Sequence, residues 1–355
     1  MAGKAGASMG SWTDDHGARP RVALVLGGGN ALGAYQAGVF EALQSAGIVP
    51  EWIAGTSIGA VNGALICGNA PEARLDRLRD FWRPAEGAIS PTGPGETARR
   101  TASVAEAMLW GRGDVFAPRG PGTWPMGTQA LYDSSPLGRG IARLVDIDRL
   151  NDGGMRYATV AVDLETGAER VFDTQRGRVG VDHVRASGAL LPLFPPVTVD
   201  GRDLVDGGTA SNLPVDLVLA EPGEGALLCI AVDLLPLEGG AARTLGDSLQ
   251  RMQDLAFACQ ARRAITGWQR DYDLRARIPG ETPRTVTLIH MAYGGEEREV
   301  SGKALDFSAR SIGERWTRGA RDMHHVIAQL DAGEIATGRS GLTVYRFQDG
   351  ERREG

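Results

Sequence analysis

A short apolar run that ends in three glycines and leads directly into a helical pattern constrains this chain most. Arg21-Val-Ala-Leu-Val-Leu26 is rich in branched side chains, which is typical of a strand buried on both faces of a parallel sheet. After Gly33, apolar side chains at helical spacing predict a helix over residues 34–46, and Gly47 is a plausible stop. Strand, glycine loop and helix in this order indicate a fold in which helices cover a sheet.

The alternation of strands and helices continues along the chain. Apolar and branched runs predict further strands near residues 51–54, 156–162, 169–172, 226–235, 285–291 and 342–347. The Asp200-Gly201 pair predicts a hairpin between two more strands, 197–199 and 202–205. Helical spacing predicts helices over residues 58–67, 74–82, 244–268 and 307–330. We therefore expect the α/β class with a mostly parallel central sheet.

Composition divides the chain into three parts. Residues 1–20 are polar and lack the apolar stretch of a secretory signal, so we expect a disordered tail. Residues 21–240 hold the motifs described below and form the predicted catalytic core, in which the Gly/Pro-rich stretch at 88–135 is expected to be a long loop and a candidate cap. Residues 241–355 are expected to be a helical and strand-containing extension packed on that core.

Charge, cysteine content and hydropathy limit the partners. A net charge of −6 without a basic run argues against a nucleic-acid partner, which would need clustered lysine and arginine. Cys67, Cys229 and Cys259 are odd in number and lie in apolar segments, which indicates reduced thiols and a cytoplasmic protein. Because no apolar run approaches the roughly 20 residues of a membrane span, any membrane contact is expected to be peripheral. The oligomeric state stays open.

Gly55-Thr-Ser-Ile-Gly59 has the pattern of a nucleophile elbow, in which a serine lies on a strained turn between a strand and a helix. The pattern alone is weak in a glycine-rich chain, but a predicted strand precedes Ser57 and a helix of small residues follows it. The start of that helix would place N–H groups and a positive dipole end beside the hydroxyl. The plain alternative is a Thr-Ser helix cap.

A serine nucleophile also needs donors for the oxyanion that develops during attack. Gly27, Gly28 and Gly29 follow the first strand and offer backbone N–H groups that no side chain obstructs, so we predict the oxyanion hole there. The rival interpretation is a dinucleotide-binding loop of the form G-x-G-x-x-G. That spacing fails, because Leu32 or Asn30 stands where a glycine is required.

Asp206 is the best candidate for the base that activates the serine. It ends a strand, and Asp206-Gly207-Gly208 is followed by a segment that leads towards a helix instead of a returning strand. The alternative is an ordinary turn aspartate. A Ser-His-Asp triad would need a histidine after the acid. The available histidines are His290 in a strand-like run, and His324 and His325 on a late helix. His16 lies in the tail, and His183 precedes the acid.

Five blocks together resemble the patatin-like phospholipases. They are Leu24-Val-Leu-Gly-Gly-Gly-Asn-Ala-Leu-Gly-Ala-Tyr-Gln-Ala-Gly38, Gly55-Thr-Ser-Ile-Gly59, Arg185-Ala-Ser-Gly-Ala-Leu-Leu-Pro-Leu-Phe-Pro-Pro-Val197, Asp206-Gly-Gly208 and Asn212-Leu-Pro214. The resemblance implies a three-layer α/β/α fold and a serine esterase that cleaves lipid or lipid-like acyl esters through an acyl-enzyme. It implies Ser57 as nucleophile, Asp206 as general base and the amides of Gly28 and Gly29 as oxyanion donors. It implies neither a metal nor an organic cofactor.

The glycine block departs from the family's G-G-G-x-R-G form at two positions. Asn30 stands at the third glycine and Leu32 at the basic residue. Asparagine tolerates a left-handed backbone, so the turn can persist, whereas the lost cation could have steadied a phosphate head group or the loop. We therefore favour an esterase or acyl hydrolase over a phospholipase. The alternative from another class is a non-catalytic lipid- or protein-binding scaffold that keeps the fold.

Overall fold

The computed structural model describes residues 12, 19–83, 95–119, 129–221, 223, 225–236, 238, 242–295 and 300–353. Within these ranges the strands are β1 Arg21–Leu26, β2 Trp52–Gly55, β3 Ala117–Pro118, β4 Tyr132–Asp133, β5 Arg156–Asp163, β6 Glu169–Asp173, β7 Val197–Val199, β8 Arg202–Asp206, β9 Leu227–Asp233, β10 Val286–Ala292, β11 Leu342–Gln348 and β12 Glu351–Arg353. Nearly all of the predicted tail lies outside the described residues.

The central sheet runs in the order β12-β11-β10-β9-β1-β2-β5-β8-β7, and β6 pairs with β5. The six strands from β11 to β5 are parallel to their neighbours, while β6, β7, β8 and β12 pair antiparallel at the two ends. The parallel strands β1, β5 and β9 consist almost wholly of buried residues, because helices cover both of their faces. The expected α/β class with a mostly parallel sheet is confirmed.

Helices form the two outer layers. They are α1 Ala34–Ser45, α2 Ile58–Cys67, α3 Arg74–Trp82, α4 Glu96–Trp110, α5 Ser135–Leu144, α6 Ile147–Asp152, α7 Val181–Ser187, α8 Gly208–Ser211, α9 Val215–Leu219, α10 Leu245–Arg275 and α11 Ala309–Asp331. Alternate residues of β1 enter two different cores: Leu24 packs with α1, α2 and α11, and Val25 packs with α9 and α10. In the described ranges, no helix combines the length and the hydropathy that crossing a bilayer would require.

The segment after residue 241 is part of the sheet instead of a separate layer on it. β10 pairs in register with β9, and β11 pairs with β10, so this segment extends the sheet directly. Its helix α11 also crosses α1 closely, because Gly38 and Gly319 face each other's helix. A Cβ atom on Gly38 would lie 1.9 Å from the carbonyl oxygen of Trp316, and one on Gly319 would lie 2.0 Å from that of Tyr35.

The stretch at 88–135 differs from the loop that its glycines and prolines predicted. Residues 84–94 and 120–128 lie outside the described part, but between them α4 is a 15-residue helix. Val104 and Ala107 of this helix are buried, whereas Met108, Leu109 and Trp110 are exposed. Because the exposed apolar side chains fall outside the buried face, they obscure the helical period by which we would have recognised α4.

Candidate active site

Ser57 occupies the turn between β2 and α2 in a strained backbone conformation. Its φ of 56° and ψ of −122° lie in a region that side-chain-bearing residues rarely adopt. The flanking glycines leave room for this turn. A Cβ atom on Gly59 would lie 2.1 Å from the carbonyl oxygen of Leu26, and one on Gly55 would lie 2.4 Å from that of Gly59. The Gly-x-Ser-x-Gly spacing is therefore a steric requirement of this turn.

The fold brings Asp206 to Ser57 from β8, which is separated from β2 in the sheet by β5 alone. Asp206 ends β8, where it pairs with Ala161 of β5. Its side chain is buried, and the Ser57 hydroxyl is close enough to lower the pKa of its carboxyl. The segment after α7 connects the two residues. The Ser57 amide donates to the Ser187 hydroxyl at 2.9 Å, and the Asp206 amide donates to the Ala189 carbonyl at 3.1 Å. The structure thus brings Ser57 and Asp206 close together, as the predicted roles of nucleophile and base would require.

The environment of Asp206 makes its carboxylate a stronger proton acceptor than an exposed aspartate. Burial raises the pKa from 3.8 to about 6, because the charged form loses its hydration. Two hydrogen bonds oppose this rise, one from the Gly208 amide at 2.7 Å and one from Ser57. At neutral pH the carboxylate is therefore ionised, yet its pKa lies close enough to the working pH for proton transfer.

The glycine loop keeps only part of the predicted donor set available. The Gly27 amide donates to the Val232 carbonyl at 3.0 Å, and the Gly28 amide donates to the Asn212 carbonyl at 3.1 Å. Among the described residues, the amides of Gly29 and Asn30 have no hydrogen-bond acceptor. Gly27 and Gly28 are therefore poor candidates for oxyanion donors, because both N–H groups already donate to backbone carbonyls. The N–H groups of Gly29 and Asn30 remain available.

The two departures in the loop have different structural consequences. Asn30 has a φ of 52°, so it adopts the left-handed conformation that we expected an asparagine to tolerate. Leu32 is fully buried in the main apolar core, and it does not belong to the described residues that line the cavity beside Ser57. The loop therefore keeps its turn without the third glycine. At the position where the family has a basic residue, Leu32 packs in the apolar core.

Polar side chains that the motifs did not identify hold this loop in place. Gln36 donates to the Gly27 carbonyl at 2.7 Å, and Asn62 donates to the Gly33 carbonyl at 3.0 Å. Asn62 also accepts a hydrogen bond from the Trp82 indole at 3.0 Å. Asn62 could have been identified from the sequence, because it is the only strongly polar side chain in the apolar helix α2. A buried amide of this kind usually has a specific partner.

Arg315 contacts the same loop from the C-terminal part of the chain. Its buried guanidinium donates to the Ala31 carbonyl at 3.3 Å, the Asp306 carbonyl at 2.9 Å and the Lys303 carbonyl at 3.1 Å. No local pattern could have identified this residue, because α11 contains four arginines and nothing in the sequence marks which one is buried.

A cavity of about 150 Å³ opens beside Ser57 and Asp206. Gly28, Gly29, Asn30 and Asn212 line it near the serine. Asp206 is the only ionisable side chain among the described residues that line it. The remaining wall is mostly apolar and consists of Ile58, Val61, Val115, Leu137, Leu190, Leu193, Phe194, Leu235, Phe257, Ala304 and Leu305 together with Ser134, Gln250 and Gln253. Such a wall suits a hydrocarbon chain.

The candidate histidines lie elsewhere. His290 faces Asp233 at 3.4 Å, while His324 and His325 are exposed on α11. His183 accepts a hydrogen bond from the Gly180 amide and packs against the Phe172 ring. None of these four lines the cavity, so within the described residues the carboxylate is the group that faces the serine hydroxyl.

Two family models match separate parts of this chain. A family model described as patatin-like phospholipase matches residues 24–219, which are more than half of the chain. The chain belongs to the patatin-like phospholipase family. The matched range contains the glycine loop, Ser57 and Asp206. A second model, described as patatin phospholipase, matches residues 247–334 and so covers most of α10 and all of α11.

The curated relatives are much longer proteins. Patatin-like phospholipase domain-containing protein 6 of Homo sapiens is 32% identical over 231 residues, which are 64% of this chain and 14% of that protein. Lysophospholipase NTE1 of Yarrowia lipolytica is 28% identical over 234 residues, with coverage of 64% and 14%. Among solved structures, VipD from Legionella pneumophila aligns with a TM-score of 0.43 at 14% identity, over 91% of this chain and 70% of that chain.

Proposed function

We propose that this member of the patatin-like phospholipase family is a serine esterase that hydrolyses acyl esters of lipids, with Ser57 as nucleophile and Asp206 as general base. The observation that carries the proposal is the contact between the strained serine and a buried carboxylate, beside an apolar cavity. A helix cap would not require this strain, and a turn aspartate would not require burial beside a hydroxyl.

In acylation, Asp206 accepts the proton of the Ser57 hydroxyl while Oγ attacks the ester carbonyl carbon. The carbonyl oxygen gains negative charge and is stabilised by the amides of Gly29 and Asn30 and by the N-terminus of α2. When the tetrahedral intermediate collapses, the bond to the alcohol oxygen breaks. Asp206 returns its proton to that oxygen, so the alcohol leaves neutral and the acyl group remains on Ser57.

Deacylation repeats these steps with water. Asp206 accepts a proton from a water molecule, whose oxygen attacks the acyl carbon, and the proton then returns to Ser57 Oγ as the carboxylic acid leaves. A pKa of about 6 suits both directions, since the carboxylate is ionised before each attack and gives up its proton readily afterwards.

The cavity suggests the acyl side of the substrate. A mostly apolar cavity of about 150 Å³ is large enough for a molecule the size of benzene, so we propose that it holds the part of one acyl chain nearest the ester. The name of the lysophospholipase relative supports a single-chain lipid.

We further propose peripheral membrane contact. The free thiols of Cys67, Cys229 and Cys259 support the cytoplasm as the compartment.

Labelling with a fluorophosphonate probe tests this proposal. The wild-type protein should form a covalent adduct, and Ser57→Ala should not, because the probe reacts only with an activated serine. Ser134→Ala is a matched control, since this serine lines the same cavity but does not face Asp206; it should still be labelled. Equal labelling of wild type and Ser57→Ala would show that Ser57 is not the nucleophile.

A further inference from the structure

Two helices expose large apolar side chains that are unusual for a protein surface. On α10, Leu245, Leu249 and Met252 are 78%, 55% and 64% exposed, and on α4, Met108, Leu109 and Trp110 are 53%, 66% and 73% exposed. We call these six side chains the apolar rim. Single exposed apolar residues need no explanation, whereas a cluster of large ones marks an interaction surface.

The exposed face of α10 adjoins the face that lines the cavity. With 3.6 residues per turn, Leu245, Leu249 and Met252 fall within about 60° of one another around the helix axis. Gln250, Gln253 and Phe257, which line the cavity, lie about 100° further round the same axis. One helix therefore presents apolar side chains to solvent and an adjacent stripe to the substrate cavity.

The segment at residues 300–305 connects the two parts of the rim. Ser301 donates a hydrogen bond to Asp247 of α10, and Lys303 forms an ion pair with Asp254 of α10 at 3.2 Å. On the other side, a Cβ atom on Gly302 would lie 2.9 Å from the Val104 side chain of α4. Gly302, Ala304 and Leu305 themselves line the cavity. The two helices that carry the rim thus both contact the segment that forms this part of the cavity wall.

We propose that the apolar rim docks this protein on a lipid surface, so that an acyl chain passes from the lipid into the cavity without crossing water. This proposal rests on the proposed function. Continuity between rim and cavity selects a lipid surface as the occupant, and an exposed tryptophan among leucines and methionines has the composition of side chains at a membrane interface. Because none of the six side chains of the rim carries a charge, we assign apolar burial, not attraction to anionic lipid, as the driving force.

Vesicle binding by the inactive Ser57→Ala protein tests the rim independently of turnover. We expect this protein to float with phosphatidylcholine vesicles, and Leu249→Gln/Met252→Gln in the same background to lose at least about tenfold in affinity, since two large apolar contacts are removed. Leu274→Gln/Ile278→Gln is the matched control. Both side chains are exposed, Leu274 at the C-terminal end of α10 and Ile278 just after that helix, and vesicle binding should not change.

Activity in the wild-type background separates docking from chemistry. The rim variant should lose turnover of an ester dispersed in vesicles but keep turnover of a monomeric water-soluble ester within about twofold, as surface substitutions usually do. If the rim variant binds vesicles as well as the control variant, the proposal is wrong. If the rim variant binds vesicles normally but shows a lower mass in sedimentation than the control variant, the rim contacts a second copy of this chain instead of a lipid surface. Vesicle binding without turnover of any ester would contradict the proposed function and leave docking intact.

Discussion

The two parts of the chain contribute differently to the candidate site. Residues 24–219 supply the reacting groups: the glycine loop, Ser57 and Asp206, each held by nearby backbone contacts. Residues 245–331 supply the surroundings: a wall of the cavity, the guanidinium of Arg315 on the loop, and part of the apolar rim.

This difference shows how chemistry and environment depend on different kinds of information. The reacting groups require particular residues at short spacings, because a turn with a φ of 56° or a Cβ contact of 2.1 Å admits few alternatives. The environment requires only apolar volume and one buried cation, which residues distant in the sequence can provide. We therefore expect changes in the first part to abolish turnover and changes in the second part to reduce it.

The largest effect is expected in the first part, from Asp206→Asn. An amide cannot accept the serine proton, so turnover of a soluble ester should fall by about 10³-fold or more, while the Gly208 amide keeps its acceptor. Asp203→Asn, an exchange of the same kind on the exposed side of the same strand, is the control and should keep activity. Full activity of Asp206→Asn would transfer the role of base to another group.

A second expected effect concerns the contact between the two parts. Gly319→Ala should lower the free energy of unfolding by about 2 kcal/mol or more, because the added methyl group would meet the Tyr35 carbonyl at 2.0 Å and force α1 and α11 apart. Gly313→Ala, on the same helix with open space around it, should raise stability by up to about 1 kcal/mol through helix propensity. Urea unfolding measures both. If the two substitutions change the free energy of unfolding equally, the close crossing of α1 and α11 is not the cause of the destabilisation.

A smaller effect is expected from Arg315→Met, which tests whether the second part positions the first. Loss of the guanidinium frees the Ala31 carbonyl, so kcat should fall by about tenfold with KM nearly unchanged. The rate must be divided by the number of sites that the fluorophosphonate probe labels, since a purely structural role would lower that number alone. Arg315→Lys should recover part of kcat. An unchanged rate per labelled site would limit Arg315 to folding.

The last expected effect is a change with pH. Because the base must be ionised, kcat/KM should be half-maximal near pH 6 and fall about tenfold for each pH unit below that. The pKa is raised on folding, so the stability that protonated Asp206 contributes below pH 4 is lost as the pH rises through about 6.

The same ionisation should be visible in the stability of Asp206→Asn. The rise from 3.8 to about 6 corresponds to on the order of 3 kcal/mol, so the variant should gain stability over wild type between pH 4 and pH 8. Thermal unfolding at both pH values checks this. A constant difference would mean that Asp206 does not titrate near pH 6.

Local patterns predicted most elements of this protein closely. β1, α2 and α3 begin and end where apolar runs and helical spacing placed them, and the Asp200-Gly201 turn has positive φ at both residues, 50° and 74°. The helix α4 was not predicted, because its exposed apolar side chains lie outside the buried face of the helix and obscure the helical period. The extension of the sheet by β10 and β11 was also not foreseen, since strand order depends on contacts between segments far apart in sequence.

By itself the sequence determined the fold class and the candidate reacting residues, because strained turns and buried strands restrict which residues can occupy each local position. Only the tertiary structure decided which loop amides remain available, that Arg315 contacts the loop, and that α10 lines the cavity with one of its faces. These properties arise where distant segments meet. A hydrogen bond from Gly28 to Asn212 depends on the packing of the whole sheet, and no short pattern in the chain encodes it.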